Sequence, residues 1–165
     1  MNTYTIAIDP GVKSIAYALF FKDMLIDCGY KTTMRAIDLS DLVSEIWPDW
    51  SDDITDLSVV CEMPRMARGR PERINDQIDL ACSAGIIASA LVRHFENVPD
   101  IVEDTQFVYP STWKGQRPKD VDNKYTLSLL EERELEILDN CYVKKSLKHN
   151  VIDAIGIGLW KVGRR

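Results

Sequence analysis

The sequence predicts an α/β fold with a mixed sheet, and two observations favour it. The N-terminal part contains three apolar segments separated by short turns, which is the pattern of an antiparallel meander. Beyond them, apolar strand segments alternate with longer segments of helical periodicity, which is typical of an α/β layout. The 165 residues suffice for a single domain, 1–165, with one sizeable core.

Five strands are predicted from runs of apolar residues bounded by turn signals. Pro10-Gly11 is expected to form the turn between the first two, because both residue types favour turns. The fourth strand carries a near-continuous apolar run that ends in a carboxylate. The predicted strands span 3–9, 14–21, 24–31, 57–63 and 105–110.

Helices are predicted where apolar residues recur at helical spacing. A helix over 38–47 should end before Pro48, since proline removes a backbone donor and clashes with the preceding turn. A long helix should run over 72–95. One or two helices are expected within 121–138, and an amphipathic helix should close the chain from about residue 147.

The long helix over 72–95 contains the stretch ACSAGIIASALV, which is apolar nearly all round. Such a helix is expected to be buried. Its small residues Ala81, Gly85 and Ala88 would permit close packing, either on the sheet or on a partner helix. The second arrangement makes this helix a candidate dimer interface.

Composition limits the function classes. The formal net charge of −6 argues against a uniformly basic protein that coats DNA, although clustered basic residues could still bind nucleic acid. Four cysteines occur without a CxxC pair, so buried thiols in a reducing compartment are expected. With no signal sequence and no apolar run of membrane-spanning length, we expect a cytoplasmic protein without a membrane partner.

Three acidic residues stand where a ligand site could form. Asp9 and Glu62 each end an apolar strand, and Asp153 lies in the first turns of the last helix. Ligand sites of open α/β sheets lie at the carboxyl ends of the strands, so the three side chains could face one site. Carboxylates so close would repel each other unless cations compensated them, and Mg²⁺ or Mn²⁺ prefers such oxygen ligands.

Each acid also has a simpler interpretation. Asp9 before Pro-Gly could be turn chemistry. Glu62 could belong to a satisfied ion pair, and Asp153 could be a first-turn acid favoured by the helix dipole. Taken together, the three positions favour a site for two divalent ions, which is an arrangement that hydrolyses phosphodiesters.

Four segments in order make the chain resemble the RuvC-type Holliday junction resolvases, and its compactness and WKG segment resemble the phage-encoded branch. The segments lie within residues 4–160 and read IAIDPGVKSIAYAL, VVCEMP, FVYPSTWKG and HNVIDAIGIGLW. The resemblance implies the RNase H-like fold, in which helices flank a five-stranded mixed sheet. It also implies a homodimer that cuts paired strands of branched DNA.

The same resemblance implies a metal site made by Asp9, Glu62 and Asp153, with Mg²⁺ or Mn²⁺ bound, as two ions. In the family a second acid or a His usually stands three residues before the last Asp. Here that position is Asn150, with His149 beside it. Either residue could supply the fourth ligand.

An arginine-rich loop follows the fourth strand, with Arg65, Arg68, Arg70 and Arg73 close together. Guanidinium groups match the geometry of phosphate oxygens, so this loop is expected to hold the DNA backbone. The resolvases use an aromatic residue in this loop to open the crossover. Because this loop has none, any wedge would be Met66. The alternative is a solvated charged loop.

A second basic group consists of Lys114, Arg117, Lys119 and Lys124, and its three lysines are expected to contact DNA. By resemblance, Lys114 and Lys124 match family lysines near the scissile phosphate, so Lys114 joins the predicted catalytic residues. The more ordinary interpretation of such a group is a solvated face.

These features predict a metal-dependent, structure-selective DNA endonuclease that resolves Holliday junctions, with other branched DNA as further candidate substrates. Paired phosphodiester hydrolysis would leave 5′-phosphate ends. The alternatives are an RNase H-like nuclease with a different nucleic-acid substrate and a non-catalytic module that binds branched DNA. An ATP-binding module of the actin type would need two such domains, for which 165 residues are too few. If the protein is phage-encoded, the host cytoplasm is its expected location.

Overall fold

Five strands form one sheet in the order β3-β2-β1-β4-β5 in the computed structural model, which describes residues 3–32, 56–64, 74–94 and 102–165. The first three strands are antiparallel neighbours, and β4 and β5 run parallel to β1. The sheet is therefore mixed, as predicted. The strands are β1 Thr3–Gly11, β2 Ser14–Phe21, β3 Met24–Thr32, β4 Asp56–Glu62 and β5 Val102–Val108.

Most predicted helices are present, with some differences. The segment predicted as one or two helices forms two, and a short helix that the sequence did not predict follows β5. The predicted helix over 38–47 lies outside the described residues. The helices are α1 Ile74–His94, α2 Pro110–Trp113, α3 Lys119–Ser128, α4 Glu132–Asn140 and α5 Lys148–Lys161, the last preceded by a 3₁₀ turn, Lys145–Leu147.

The turn between β1 and β2 lies two residues later than predicted. Gly11 pairs with Ser14, so the two-residue loop consists of Val12 and Lys13, and the prediction of a Pro10-Gly11 turn is wrong. Pro10 fits inside the strand because the parallel register with β4 ends at Ile8. Beyond that point the missing N–H of proline interrupts no ladder on the β4 side.

Helices cover both faces of the sheet and create two apolar layers. On one face, α1 packs through Ala84, Ile87 and Leu91. On the other face, α5 is buried over the whole run from Val151 to Leu159. The last helix is thus buried nearly all round, so the prediction that it is amphipathic is wrong.

The helix predicted to be buried all round, α1, buries only one side. Ile78 and Ile86 are exposed, and Gly85 has no atom within 4 Å of the position of an added Cβ. The prediction failed because apolar composition does not tell a helix that lies between layers from one that covers a single face. Ala88 is buried on the sheet side, so the small residues do not form one packed stripe.

All four cysteines are free thiols, but they are not all buried. Cys28 and Cys61 are buried in the sheet layers, Cys141 is half-buried, and Cys82 is exposed on the outer side of α1. The expectation of four buried thiols is therefore wrong for Cys82. None of the described helices is both long and apolar enough to cross a membrane.

A buried ion pair fastens the end of the chain to the rest of the domain. Both terminal guanidinium nitrogens of Arg164, Nη1 and Nη2, donate to Glu134, over 2.6 and 2.8 Å, and the Leu25 amide donates to the same carboxylate over 2.7 Å. Burial alone would raise the pKa of Glu134, but these hydrogen bonds lower it below its ordinary value. The pair connects α4 with β3 and with the residues after α5.

Gly158 allows α5 to lie directly on the sheet. A Cβ at this position would overlap the ring of Phe20, which is fully buried in β2. We predict that Gly158→Ala lowers the free energy of unfolding by about 1–3 kcal/mol, because overpacking forces the helix away from the strand. Chemical denaturation with urea measures the change.

Gly85→Ala is the matched control, since it makes the same substitution inside a helix with open space around it. It should raise the free energy of unfolding by up to about 1 kcal/mol, the difference in helix propensity between alanine and glycine. Equal effects of the two substitutions would contradict the close contact between α5 and Phe20.

Candidate active site

Three carboxylates meet between the sheet and α5. The register of β1 with β4 places Ile8 beside Cys61, so the next residues, Asp9 and Glu62, stand side by side. Successive side chains of a strand alternate between faces, and both carboxylates are on the face that α5 covers. Asp153 comes from the second turn of α5.

Asp9 lies in an environment that disfavours its charge. Burial raises the pKa of Asp9 well above its ordinary value, and repulsion from Glu62 and Asp153 raises it further. The nearby ammonium groups of Lys119 and Lys114 partly oppose the shift. Asp9 stands within β1 rather than at a turn, so the turn-chemistry interpretation of this residue is wrong.

Glu62 is the last residue of β4, as predicted, and Trp113 is its hydrogen-bond partner in the described part of the chain. The indole Nε1–H donates to Oε2 of the carboxylate over 2.7 Å. Burial raises the pKa of Glu62, while the charge of Lys114 and the indole hydrogen bond pull it down. The carboxylate is thus held by a neutral donor with a cation close by.

Asp153 is almost completely buried, with 6% of its surface exposed. Its Oδ2 lies 2.9 Å from Nζ of Lys119, which reaches in from the start of α3. Within the described residues its Oδ1 is buried and has no hydrogen-bond partner. The first turn of α5 contains no acid, so the helix-dipole interpretation of Asp153 is wrong.

The three carboxylates offer oxygen ligands that suit a hard divalent cation. Oδ1 of Asp153 is buried without a hydrogen-bond partner among the described residues, so it could accept such a ligand bond. Burial and mutual repulsion of the acids are the electrostatic signs of a site that a cation would stabilise. Across the described residues, however, no three His, Cys, Asp or Glu side chains already stand in a metal-binding group. One oxygen of Glu62 bonds Trp113, and one of Asp153 bonds Lys119.

The structure brings two of the predicted lysines to the acids. Lys114 is half-buried and lies with its Nζ 4.7 Å from the centre of the Trp113 ring. Lys119 bonds Asp153 directly, although 52% of its side chain is exposed. Lys124 is exposed on α3, and its role remains a prediction.

The other predicted site residues are placed less fully. Asn150 and His149 are half-buried in the first turn of α5, one turn before Asp153. Whether either binds a metal remains a prediction. The predicted DNA-binding residues of the loop after β4 lie outside the described residues: Arg65, Met66, Arg68, Arg70 and Arg73.

Sequence reasoning missed two residues at this site, Trp113 and Arg165. A lone tryptophan in a polar segment was a usable signal, because a buried indole N–H usually finds a hydrogen-bond partner. Its partner, 51 positions away, could not be identified without the fold. Arg165 gave no signal, since its contacts are formed only when α3 and α5 come together.

Comparisons with solved structures confirm the predicted fold. The chain is similar to Thermus thermophilus RuvC in complex with a Holliday junction substrate, at 15% identity over 95% of this chain and 90% of that one, with a TM-score of 0.58. It is also similar to the Fowlpox virus resolvase in complex with Holliday junction DNA, at 18% identity over 96% of this chain and 98% of that one, with a TM-score of 0.55.

A third similar structure is the yeast mitochondrial Holliday junction resolvase, at 12% identity over 97% of this chain and 79% of that one, with a TM-score of 0.54. No protein-family model and no curated protein matches the chain. At these identities the likeness establishes the fold: it is the RNase H-like fold of the RuvC-type resolvases.

Neutralising one of the clustered acids should stabilise the protein when no metal is present. We predict that Asp9→Asn raises the free energy of unfolding in EDTA at neutral pH by on the order of 1 kcal/mol. The reason is that burial and two neighbouring carboxylates disfavour the charge of Asp9 in the folded state, whereas asparagine carries none. Urea denaturation measures the difference.

Asp79→Asn on α1 is the control, because Asp79 is exposed. Its effect should stay within about 0.5 kcal/mol. If Asp9→Asn instead lowered the free energy of unfolding, the charge of Asp9 would be stabilising the fold. That result would contradict the interpretation of Asp9 as a cation ligand whose charge destabilises the metal-free protein.

Proposed function

We propose that this protein is a metal-dependent endonuclease that hydrolyses phosphodiesters in branched DNA, with four-way junctions as its principal substrate. The observation that carries the proposal is the convergence of Asp9, Glu62 and Asp153 with Lys114 and Lys119 at one end of the sheet. The similar solved structures, two of them complexes with Holliday junctions, support the choice of substrate.

The carboxylates would hold the cations. Asp9, Glu62 and Asp153, with Asn150 or His149 as a fourth ligand, offer donors that suit Mg²⁺ or Mn²⁺, and we propose two ions per site. Bound divalent cations supply a water nucleophile at neutral pH and stabilise charge on the leaving oxygen of a phosphodiester. Hydrolysis that expels the 3′ oxygen leaves a 5′ phosphate.

The lysines would serve the DNA side of the reaction. Nζ of Lys119 forms an ion pair with Asp153 in the absence of DNA, and the half-exposed side chain would let the ammonium turn toward an incoming phosphate. Lys114 stands beside Glu62, where its charge acts on the same region. The arginines after β4 would bind the DNA backbone without reading sequence.

Resolution of a four-way junction needs two cuts placed symmetrically. We therefore propose a homodimer with two-fold symmetry, each subunit carrying one site. The exposed side of α1, with Ile78, Gly85 and Ile86, is a candidate for the subunit interface. Four free thiols suit a reducing compartment, so the cytoplasm, or a host cytoplasm, is the proposed location.

The deciding experiment compares cleavage of a four-way junction, a fork, a flap and a linear duplex with Mg²⁺, with Mn²⁺ and with EDTA. We expect cleavage of the junction with either metal and none with EDTA. Asp9→Asn, Glu62→Gln and Asp153→Asn should each lower the rate by at least about a hundredfold while junction binding persists, because the cations contribute several kcal/mol to such reactions.

The same assay distinguishes the alternatives. Cleavage of an RNA–DNA hybrid but not of the junction would favour an RNase H-like nuclease with another substrate. Junction binding without cleavage under any metal would favour a non-catalytic binding module. In a plasmid with an extruded cruciform, a dimer should give linear product directly, whereas a monomer would accumulate nicked circles first.

Asn150 provides a test of the metal site. An aspartate at this position would add a negative charge one helical turn before Asp153, so Asn150→Asp should lower the Mg²⁺ concentration for half-maximal cleavage several-fold. His149→Ala should be milder than Asp153→Asn. Metal titrations of junction cleavage measure both. If Asn150→Asp changes nothing while His149→Ala is inactive, His149 is the fourth ligand.

A further inference from the structure

The hydrogen bond between Trp113 and Glu62 belongs to a larger buried arrangement. Trp113 ends α2 and has 3% of its surface exposed. Its indole N–H is directed at Oε2 of Glu62 over 2.7 Å, and this bond engages one of the two carboxylate oxygens. The bond therefore restricts the rotation of the carboxylate without using all of its acceptors.

The indole is seated by residues outside its own helix. Because α2 has four residues, the helix alone cannot fix a side chain at its end. Gly156 makes room for the ring on α5, since a Cβ there would lie 2.7 Å from Cζ3 of Trp113. Gly156 follows Asp153 by three positions, so one side of α5 carries the acid and also contacts the indole ring.

Arg165 also contacts the Trp113 ring. Its side chain is 2% exposed, its Nη1 donates to Oγ1 of Thr126 over 2.7 Å, and its Nη2 bonds Asp122. Its guanidinium carbon lies 5.1 Å from the centre of the Trp113 ring and 5.3 Å from that of Tyr125. The group is thus held by charge, by hydrogen bonds and by ring contacts at once.

Two cations lie close to the same indole. The Arg165 guanidinium and Nζ of Lys114, at 4.7 Å, are both within the range in which a cation interacts with an aromatic ring. Cations near a ring draw electron density from it, which makes its N–H a stronger donor. Removal of either charge is therefore expected to weaken the bond to Glu62.

We propose that Trp113 is a positioning residue for Glu62, and that Arg165 keeps Trp113 in place. The proposal rests on the proposed function, because it assigns the carboxylate of Glu62 a geometry that serves cation binding. Groups that orient metal ligands typically change metal affinity by 10- to 100-fold when removed. Neither residue needs to touch the DNA or a metal.

The bond can be observed directly through the indole N–H signals in a proton–nitrogen correlation spectrum, in EDTA. The chain has four tryptophans, and Trp113→Phe identifies the signal of interest by its loss. Glu62→Gln should move the Trp113 proton signal upfield by more than the signals of the other three, because a neutral acceptor is weaker. Arg165→Met, which keeps the stem but lacks the charge, should move the same signal.

The effect on metal binding is measured by the thermal unfolding midpoint as a function of Mn²⁺. Trp113→Phe should raise the half-saturating concentration about tenfold or more, while cleavage at saturating Mn²⁺ stays within a few-fold of wild type. Trp160→Phe, at the far end of α5, is the matched control and should change neither quantity.

The outcomes separate this proposal from the proposed function. A Trp113 signal that does not move in Glu62→Gln overturns the positioning role. If Trp113→Phe does not fold, Trp47→Phe, Trp50→Phe and Trp160→Phe assign the other three signals and so identify that of Trp113. An unchanged Mn²⁺ requirement in folded Trp113→Phe also overturns it. A responsive signal in a protein that binds Mn²⁺ but cleaves no DNA leaves the positioning role intact and overturns the nuclease.

Discussion

The parallel pairing of β1 with β4 determines the position of everything at the candidate site. These strands are far apart in the sequence, yet their register puts Ile8 beside Cys61 and therefore Asp9 beside Glu62. Backbone hydrogen bonds keep neighbouring strands about 4.8 Å apart, so two carboxylates are held close regardless of their repulsion. The repulsion is then balanced by nearby lysines and by the Trp113 indole.

The buried carboxylates lower the stability of the domain, although the proposed chemistry of the site requires them. Burial of Asp9 and Glu62 raises the pKa of both, which means that a negative charge on either side chain costs more in the folded protein than in water. The rest of the domain compensates through two apolar layers and through the buried Arg164–Glu134 pair. Local conflict inside a consistent fold is the usual mark of a functional site.

Most of the fold could be predicted from the sequence, because strand periodicity and turn signals are local. The three acids could be proposed for the same reason, since each stands at a recognisable place in its strand or helix. The bond of Trp113 to Glu62 and the burial of Arg165 could not, because they join residues that only the finished fold brings together. The outer side of α1 was missed because composition does not show which face packs.

The origin of the three acids in two kinds of element has a consequence for ion size. The spacing of Asp9 and Glu62 is fixed, because backbone hydrogen bonds hold their two strands at a constant distance. Asp153 is carried by a helix that packs through side chains, and packed helices can slide by 1–2 Å. If all three acids held a cation, a change in cation size would therefore be accommodated by α5, which packs on the sheet through contacts such as that of Gly158 with Phe20, rather than by the two strands.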